Sequence, residues 1–204
     1  MLAGCASYRV SGEVNAGRQA LLVNDPERAL PYFVAAADRD PNYVYRSVYY
    51  SEGIWTYVGR TQYATGKLKE ARRSLERALA MDRDDNLARL YFGLTLYRSG
   101  ETERGLKEIQ AGMQGLHGWL EYIERARPFE AFWDPLREIR SAIEKDLDRM
   151  SAKEFDPSQI LADAEWLGLR MENEIDRVRQ DERRQFERDF ERRRGVSAGV
   201  GIGF

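Results

Sequence analysis

Cysteine and histidine are nearly absent from this chain of 204 residues, which contains one of each, Cys5 and His117. A single cysteine excludes a disulfide within the chain, and together the two residues leave too few ligands for a Cys/His zinc site. A hydrolase of the Ser–His–Asp or Cys–His type would have to use His117, which we interpret as a loop residue near two glycines. The composition therefore favours a structural or binding protein over an enzyme, and we predict neither a cofactor nor a metal site.

Long apolar runs and an excess of one charge are also missing. No run of about 18 apolar residues occurs, so the sequence predicts no membrane-spanning helix. The chain has 32 Lys and Arg against 34 Asp and Glu, a net charge of -2, and so lacks the basic field that attracts nucleic acid. With 43% hydrophobic and 32% charged residues, it has enough apolar residues for one core beneath a heavily charged surface.

The chain begins Met-Leu-Ala-Gly-Cys, and its only cysteine, Cys5, ends this segment. The Leu-Ala-Gly-Cys sequence resembles the lipobox of bacterial lipoproteins, and the resemblance implies cleavage before Cys5 and lipid attachment to it. The charged start and apolar run of a signal peptide do not precede the box, so we expect them to have been trimmed or to lie upstream of a late-assigned start. Ala6 stands where inner-membrane lipoproteins often have Asp, which implies the periplasmic face of the outer membrane. The alternative is a chance match, with Cys5 an ordinary thiol.

Comparison of the chain with itself reveals a repeat with a period of 34 residues. Each unit predicts a helix, a turn at a glycine and a second helix, with a small residue wherever the two helices cross closely. Seven pairs match in register: Val58 with Phe92, Gly59 with Gly93, Tyr63 with Tyr97, Gly66 with Gly100, Ala71 with Gly105, Leu75 with Ile109 and Ala78 with Gly112.

This pattern resembles the tetratricopeptide repeat (TPR). The resemblance implies an all-α solenoid of helix-turn-helix units, in which the first helices of stacked units line a concave groove that binds a protein or peptide. The Lys and Asn set with which some TPR adaptors hold a peptide carboxyl end is not present, so we do not expect that type of clamp. Placing the matched helices side by side predicts a partner-binding groove formed by Arg18, Arg60, Tyr63, Leu90, Leu94, Tyr97 and Arg98.

An earlier unit matches the pattern if eight extra residues are allowed. Gly17 precedes Gly59 by 42 residues, and Asp25-Pro26 has the form of an N-cap followed by the first residue of a helix. We expect the extra residues, around 42–50, to lengthen the next helix at its start. Three TPR-like repeats are thus predicted over residues 10–118, after a lipobox remnant and linker at 1–9.

Residues 119–155 are predicted to form capping helices, because a repeat array needs a terminal element that covers its last apolar face. His117-Gly118 interrupts the repeat pattern, and Asp134-Pro135 predicts a new helix start. Aromatic residues at 129, 132 and 133 are expected to pack on the third repeat. An apolar stripe then follows at Leu136, Ile139, Ile143, Leu147 and Met150.

A long charged helix is predicted over residues 156–195. Its first part has apolar residues at helical spacing, from Ile160 to Val178, and its second part is rich in both signs of charge. Opposite charges one turn apart each add about 0.2–0.5 kcal/mol to such a helix. We expect it either to project from the body or to dock a partner as a coiled coil, with Phe186 and Phe190 as a thin apolar edge.

The terminal residues 196–204 alternate apolar residues with Ser or Gly, the period of a strand, and no other segment is interpreted as one. The alternation and the final Phe resemble the closing strand of outer-membrane barrels. We expect a tail that is disordered alone. As an alternative, it docks as an edge strand on a β-rich envelope partner through Val200, Ile202 and Phe204.

Together these features predict a non-enzymatic protein–protein interaction scaffold, a TPR lipoprotein that binds a protein or peptide partner in the bacterial envelope and no nucleic acid. TPR lipoproteins of this kind act in pilus assembly and barrel assembly, so the resemblance implies a role in assembling envelope complexes. Two alternatives remain. A cytoplasmic TPR adaptor without lipid fits if Met1 is the true start, and an envelope enzyme would be favoured by a cluster of acidic groups in a cleft.

Overall fold

The computed structural model describes residues 3–47, 49–126, 133–152 and 155–198, with side chains described between residues 9 and 192 of those ranges. Over this part the protein is mainly α-helical, as predicted, and none of the described helices combines the length and hydropathy needed to cross a bilayer. The helices are α1 (Ala3–Leu22), α2 (Pro26–Arg39), α3 (Ile54–Ala64), α4 (Leu68–Met81), α5 (Asn86–Arg98), α6 (Thr102–Ala126), α7 (Glu138–Ser151) and α8 (Pro157–Ala198). Two strands, β1 (Val44–Ser47) and β2 (Tyr50–Gly53), lie between α2 and α3.

A glycine meets a large apolar residue in each of the first three helix pairs, α1/α2, α3/α4 and α5/α6. A Cβ added to any of these glycines would lie only 2.5–2.7 Å from its partner, so no larger residue fits at this distance. These contacts occupy matching positions of the predicted units: Gly17 with Phe33, Gly59 with Leu75 and Gly93 with Ile109. Ala71 and Ala78 of α4, predicted to be buried, are 0% and 5% exposed.

The turns inside the three pairs also share one backbone feature. Asn24, Gly66 and Gly100 lie at matching positions and have φ values of 55°, 74° and 95°. This left-handed region suits glycine and tolerates asparagine better than most other residues. The predicted N-cap at Asp25 is confirmed, because its carboxylate accepts the backbone N–H of Arg28, and Asp85 caps α5 through the N–H of Ala88.

The inserted residues before α3 form a β-hairpin, so the predicted lengthening of that helix is wrong. Strands β1 and β2 pair antiparallel, with Tyr45 opposite Glu52 and both side chains buried. The segment is rich in tyrosine and valine, which favour a pleated, half-buried strand over a helix. The expectation that only the tail has a strand pattern is therefore also wrong.

Helix α6 continues through His117 and Gly118, where a break was predicted, and ends at Ala126. A glycine inside a helix costs only about 1 kcal/mol relative to alanine. The burial of Leu116 and Leu120 on either side is sufficient to offset that cost. His117 is thus a helical residue, and its Nε2 lies 2.9 Å from Oε1 of Glu144 in α7.

Helix α7 begins at Glu138, a few residues after the start predicted at Asp134. Asp134 still caps the helix, because its carboxylate accepts the backbone N–H groups of Ile139 and Arg140, each at 3.0 Å. Leu136 lies before the helix and is 78% exposed, so its inclusion in the apolar stripe is wrong.

One of the three aromatic residues expected to cap the third pair is described. Trp133 is buried, with its ring centroid 4.8 Å from that of Trp119 in α6 and 5.8 Å from that of Tyr50 in the hairpin. Phe129 and Phe132 lie outside the described residues. The hairpin and the segment before α7 therefore meet on the surface of α6.

Helix α8 both packs and projects. Its predicted apolar stripe is confirmed over the first half: Ile160, Ala164, Leu167, Met171, Ile175 and Val178 are buried and Leu161 is partly buried. Every side chain from residue 183 to residue 192 is exposed, including Phe186 and Phe190. The expectation of a projecting helix thus applies to the second half only.

Candidate functional site

The first helices of the three pairs, α1, α3 and α5, form one surface, which we call the inner groove. Helix α8 lies along this surface, and Glu172 and Glu165 of α8 bind side chains of all three helices. The sequence predicted an open groove. In the structure α8 covers much of it, because the apolar stripe of α8 requires an apolar surface on which to pack.

Four ionisable residues, two arginines and two glutamates, form a buried cluster beneath α8. Oε1 of Glu172 accepts a hydrogen bond from Nε of Arg18 at 2.8 Å, and its Oε2 accepts one from Nη2 of Arg60. Nε of Arg60 lies 3.0 Å from Oε1 of Glu52, on the hairpin. All four residues are at most 4% exposed. The cluster therefore joins α1, α3, the hairpin and α8 at one point.

Aromatic rings cover the two guanidinium groups of the cluster. The Arg18 group lies 4.3 Å from the ring centroid of Tyr45, and the Arg60 group lies 4.5 Å from that of Tyr57. Tyr57 in turn stacks on Phe33 of α2, with centroids 4.8 Å apart. Planar guanidinium groups tolerate burial against aromatic faces, which is why arginine rather than lysine suits these positions.

Burial raises the pKa of Glu52 to about 8, although the charge of Arg60 lowers it, and the nearby Glu172 raises it further. The Tyr50 hydroxyl donates a hydrogen bond to Oε2 of Glu52 at 3.2 Å. Because Glu172 is the carboxylate that both arginines bind, Glu52 has the weaker ionic support of the two. In the folded protein Glu52 therefore holds a proton at pH values where an exposed glutamate has lost it.

A second contact, nearer to solvent, holds the first turns of α8. Oε1 of Glu165 accepts hydrogen bonds from the Tyr63 hydroxyl at 2.5 Å and from Nη2 of Arg98 at 2.6 Å. The Arg98 guanidinium also lies 4.7 Å from the ring centroid of Tyr63. Burial and the hydrogen bond to Glu165 raise the pKa of Tyr63, which keeps the hydroxyl a donor.

The structure separates the predicted groove residues into two sets. Arg18, Arg60, Tyr63 and Arg98 contact α8, as the preceding distances show. Leu90 and Tyr97 lie where α5 packs on α6. A Cβ added to Gly112 of α6 would lie 2.7 Å from the backbone nitrogen of Leu90, and one added to Gly105 would lie 2.6 Å from that of Tyr97. Leu94 is fully buried in the core. The assignment of Leu90 and Leu94 to an open groove surface is therefore corrected, whereas Tyr97 is partly exposed.

The acidic partners of the groove were missed by the sequence reasoning. Glu165 and Glu172 lie seven residues apart in α8, a spacing that places both on one face of a helix. That face borders the apolar stripe, so a repeated acidic position beside the stripe is the signal that could have identified them. Glu52 gave no comparable signal, because the hairpin that carries it was not predicted.

Helix α8 leaves part of the inner groove open beside the turn between α1 and α2. The opening is a cleft of about 380 Å³, which we call the residual cleft. Leu169 of α8, 44% exposed, forms an apolar wall, and the Arg98–Glu165 pair forms a charged rim. The lining residues are Asn24, Pro26, Glu27, Tyr63, Ala64, Tyr91, Arg98, Glu165 and Leu169.

An acidic pair lies in a separate cleft between α7 and α8. Nη1 of Arg149 lies 2.8 Å from Oδ1 of Asp146 and 2.9 Å from Oδ2 of Asp163, and Trp166 forms part of the wall. Burial, followed by the charge of Asp163, raises the pKa of Asp146 to about 6. Since one guanidinium nitrogen bridges both carboxylates, the arrangement is that of an ion-paired link between two helices.

Four of the predicted site residues have no described side chain. Cys5 is part of α1, but its side chain lies outside the described residues. Val200, Ile202 and Phe204 of the predicted docking tail lie outside them entirely. Residues 196–198, at the start of the predicted strand, belong to α8 instead.

Comparison of the chain with protein-family models, curated proteins and solved structures yields no match.

Proposed function

We propose that this protein is a non-enzymatic scaffold of the TPR type, anchored by lipid on Cys5 to the periplasmic face of the bacterial outer membrane. Its task in this proposal is to hold a protein partner during assembly of an envelope complex. The lipobox-like start supports the anchor. The shared glycine contacts and turn geometry of the three helix pairs support a repeat architecture.

The observation that carries the scaffold proposal is how the inner groove binds α8. Each of two carboxylates, Glu165 and Glu172, accepts hydrogen bonds from two side chains of the groove. Between them the apolar stripe of α8 packs on the same surface. The inner groove thus has the chemistry that recognises an amphipathic helix with acidic residues, and noncovalent binding of this kind needs no catalytic group.

The residual cleft is the part of this surface that a partner can reach. Arg98 and Leu169 offer a cation and an apolar side chain there, each partly exposed to solvent. We assign them the direct contact with a partly apolar partner segment. Arg18 and Arg60, buried beneath α8, fix the shape of the groove without touching the partner.

Affinity capture from detergent-solubilised envelope membranes tests this assignment. We expect the double variant Arg98→Ala/Leu169→Ser to recover at least about tenfold less partner than the wild type, since truncating contacts at the centre of an interface typically costs more than 1 kcal/mol. Both side chains are 44% exposed, so the variant should fold.

The matched control is Arg104→Ala/Leu136→Ser, which changes an exposed arginine and an exposed leucine outside the groove. This control should capture as much partner as the wild type. Equal recovery by the cleft variant and the control would show that the partner binds elsewhere.

A further inference from the structure

Helices α1 and α8 run in opposite directions along each other. Glu172 contacts Arg18, and seven residues further along α8, Nη1 of Arg179 lies 3.2 Å from Oδ1 of Asn15. Positions that advance along α8 therefore go back along α1. The second half of α8 extends toward the end of the molecule where α1 begins.

The exposed part of α8 extends toward the end of α1 that carries Cys5. At about 1.5 Å per residue, Phe186 lies about 21 Å along α8 beyond Glu172, and Cys5 lies about 20 Å along α1 before Arg18. Phe190 lies one turn further. Two exposed phenylalanine side chains thus lie on the part of α8 that extends toward the residue to which we assign the lipid.

The surface of this segment suits a layer of phospholipid headgroups. Phe186 is 75% exposed and Phe190 is 52% exposed, one helical turn apart. Between 183 and 192 there are four arginines, at 183, 184, 188 and 192, and three acids, at 187, 189 and 191. The charge is nearly balanced, so the aromatic rings supply most of the affinity, and the arginines supply hydrogen bonds to phosphate.

We propose that residues 183–192 form a membrane edge that rests on the phospholipid bilayer beside Cys5, with Phe186 and Phe190 inserted at the boundary of headgroups and acyl chains. This inference rests on the lipid anchor of the proposed function. A lipid on one residue leaves the body free to tilt, whereas a second contact fixes its orientation. The residual cleft, beside Asn24 at the other end of α1, then faces away from the membrane.

The single cysteine allows a test that does not depend on lipidation in cells. The full chain is coupled through Cys5 to maleimide lipid in vesicles of phosphatidylethanolamine and phosphatidylglycerol, and amide hydrogen exchange of residues 183–192 is measured. We expect exchange at least about tenfold slower on the vesicles than for the same protein in solution, because the buried rings hold the helix against the surface. Phe186→Ser/Phe190→Ser should abolish the slowing, whereas Val23→Ser, at the other end of α1, should retain it.

Three results would overturn the membrane edge. They are no slowing on the vesicles, slowing that persists in the double serine variant, and slowing that depends on protein density at the surface, which indicates a second copy as the occupant. The double variant replaces exposed side chains only, and an unchanged melting temperature in solution confirms its fold. Fractionation of cells tests the anchor separately, so failure of one proposal is distinguished from failure of the other.

Discussion

At the residue scale, the main finding is that two arginines and two glutamates share one buried site beneath α8. Burying such charges costs free energy that only close pairing offsets, and removing one member leaves another without its counter-charge. Glu172 is the critical member, because it alone accepts hydrogen bonds from both arginines. Exposed ion pairs elsewhere on the molecule contribute far less to stability.

Glu172→Gln should therefore destabilise the fold strongly. The change keeps the shape of the side chain but removes the charge that pairs with Arg18 and Arg60, which typically costs about 3–5 kcal/mol for a buried pair. Glu165→Gln, on the same face of α8 but partly exposed, should cost less than about 1 kcal/mol. Chemical denaturation of both variants measures the difference, and equal losses would show that the cluster does not hold α8.

The raised pKa of Glu52 predicts a particular pH dependence. The folded state keeps a proton that the unfolded chain, with an ordinary pKa of 4.5, has released, so the free energy of unfolding falls as pH rises from about 4.5 to about 8. The slope due to this group is about 1 kcal/mol per pH unit. Glu52→Gln should remove that part of the slope in denaturation measured at several pH values. If Glu52→Gln showed the same slope as the wild type, the raised pKa of Glu52 would be contradicted.

At the scale of elements, local sequence signals predicted the repeated helix pairs and missed the β-hairpin, which has no counterpart in the other units. Glycine spacing predicted the helix crossings because only glycine fits where a Cβ would meet another helix at 2.5–2.7 Å. The hairpin at 44–53 was missed because an insertion was assumed to continue the neighbouring helix. The break at Gly118 was wrong because burial on either side outweighs the low helix propensity of one glycine.

Two glycine-to-alanine substitutions distinguish the effect of close helix packing from the effect of helix propensity. Gly93→Ala should destabilise the fold by about 1–3 kcal/mol, since the new Cβ would lie 2.5 Å from the backbone nitrogen of Ile109. Gly118→Ala meets nothing within 4 Å and should stabilise α6 by about 0.5–1 kcal/mol. Thermal unfolding measures both changes, and effects of the same sign would show that the close crossing of α5 and α6 is misplaced.

At the scale of the whole molecule, the chain supplies its own ligand for the inner groove. The position of α8 was not predicted from the sequence, because Arg18 and Arg60, which bind Glu172, lie more than 100 residues away from it in sequence. An apolar stripe shows that a helix packs, but it does not show against what. Arg18, Arg60, Tyr63 and Arg98 were identified as groove residues, while what they bind was revealed only by the fold.

We expect the C-terminal residues to be dispensable for the stability of the helical body. Removing residues 199–204, with Val200, Ile202 and Phe204, should leave the melting temperature unchanged, because the side chains of the preceding segment 183–192 are already exposed. If the tail docks on a β-rich envelope partner, the truncated protein should recover less of that partner in affinity capture. A large loss of thermal stability would show that the tail packs on the helical body.

Whether Cys5 carries a lipid distinguishes an envelope scaffold from a cytoplasmic adaptor, so measuring membrane attachment is the most direct test of the proposed function. The measurement is the distribution of the protein between membrane and soluble fractions, with the gene expressed together with its upstream sequence and the membranes washed at alkaline pH to remove peripheral proteins. We predict that the wild type stays with the outer membrane after the wash and that Cys5→Ser is released. The same distribution for both proteins would contradict the anchor, and a wild type found in the cytoplasm would favour the adaptor.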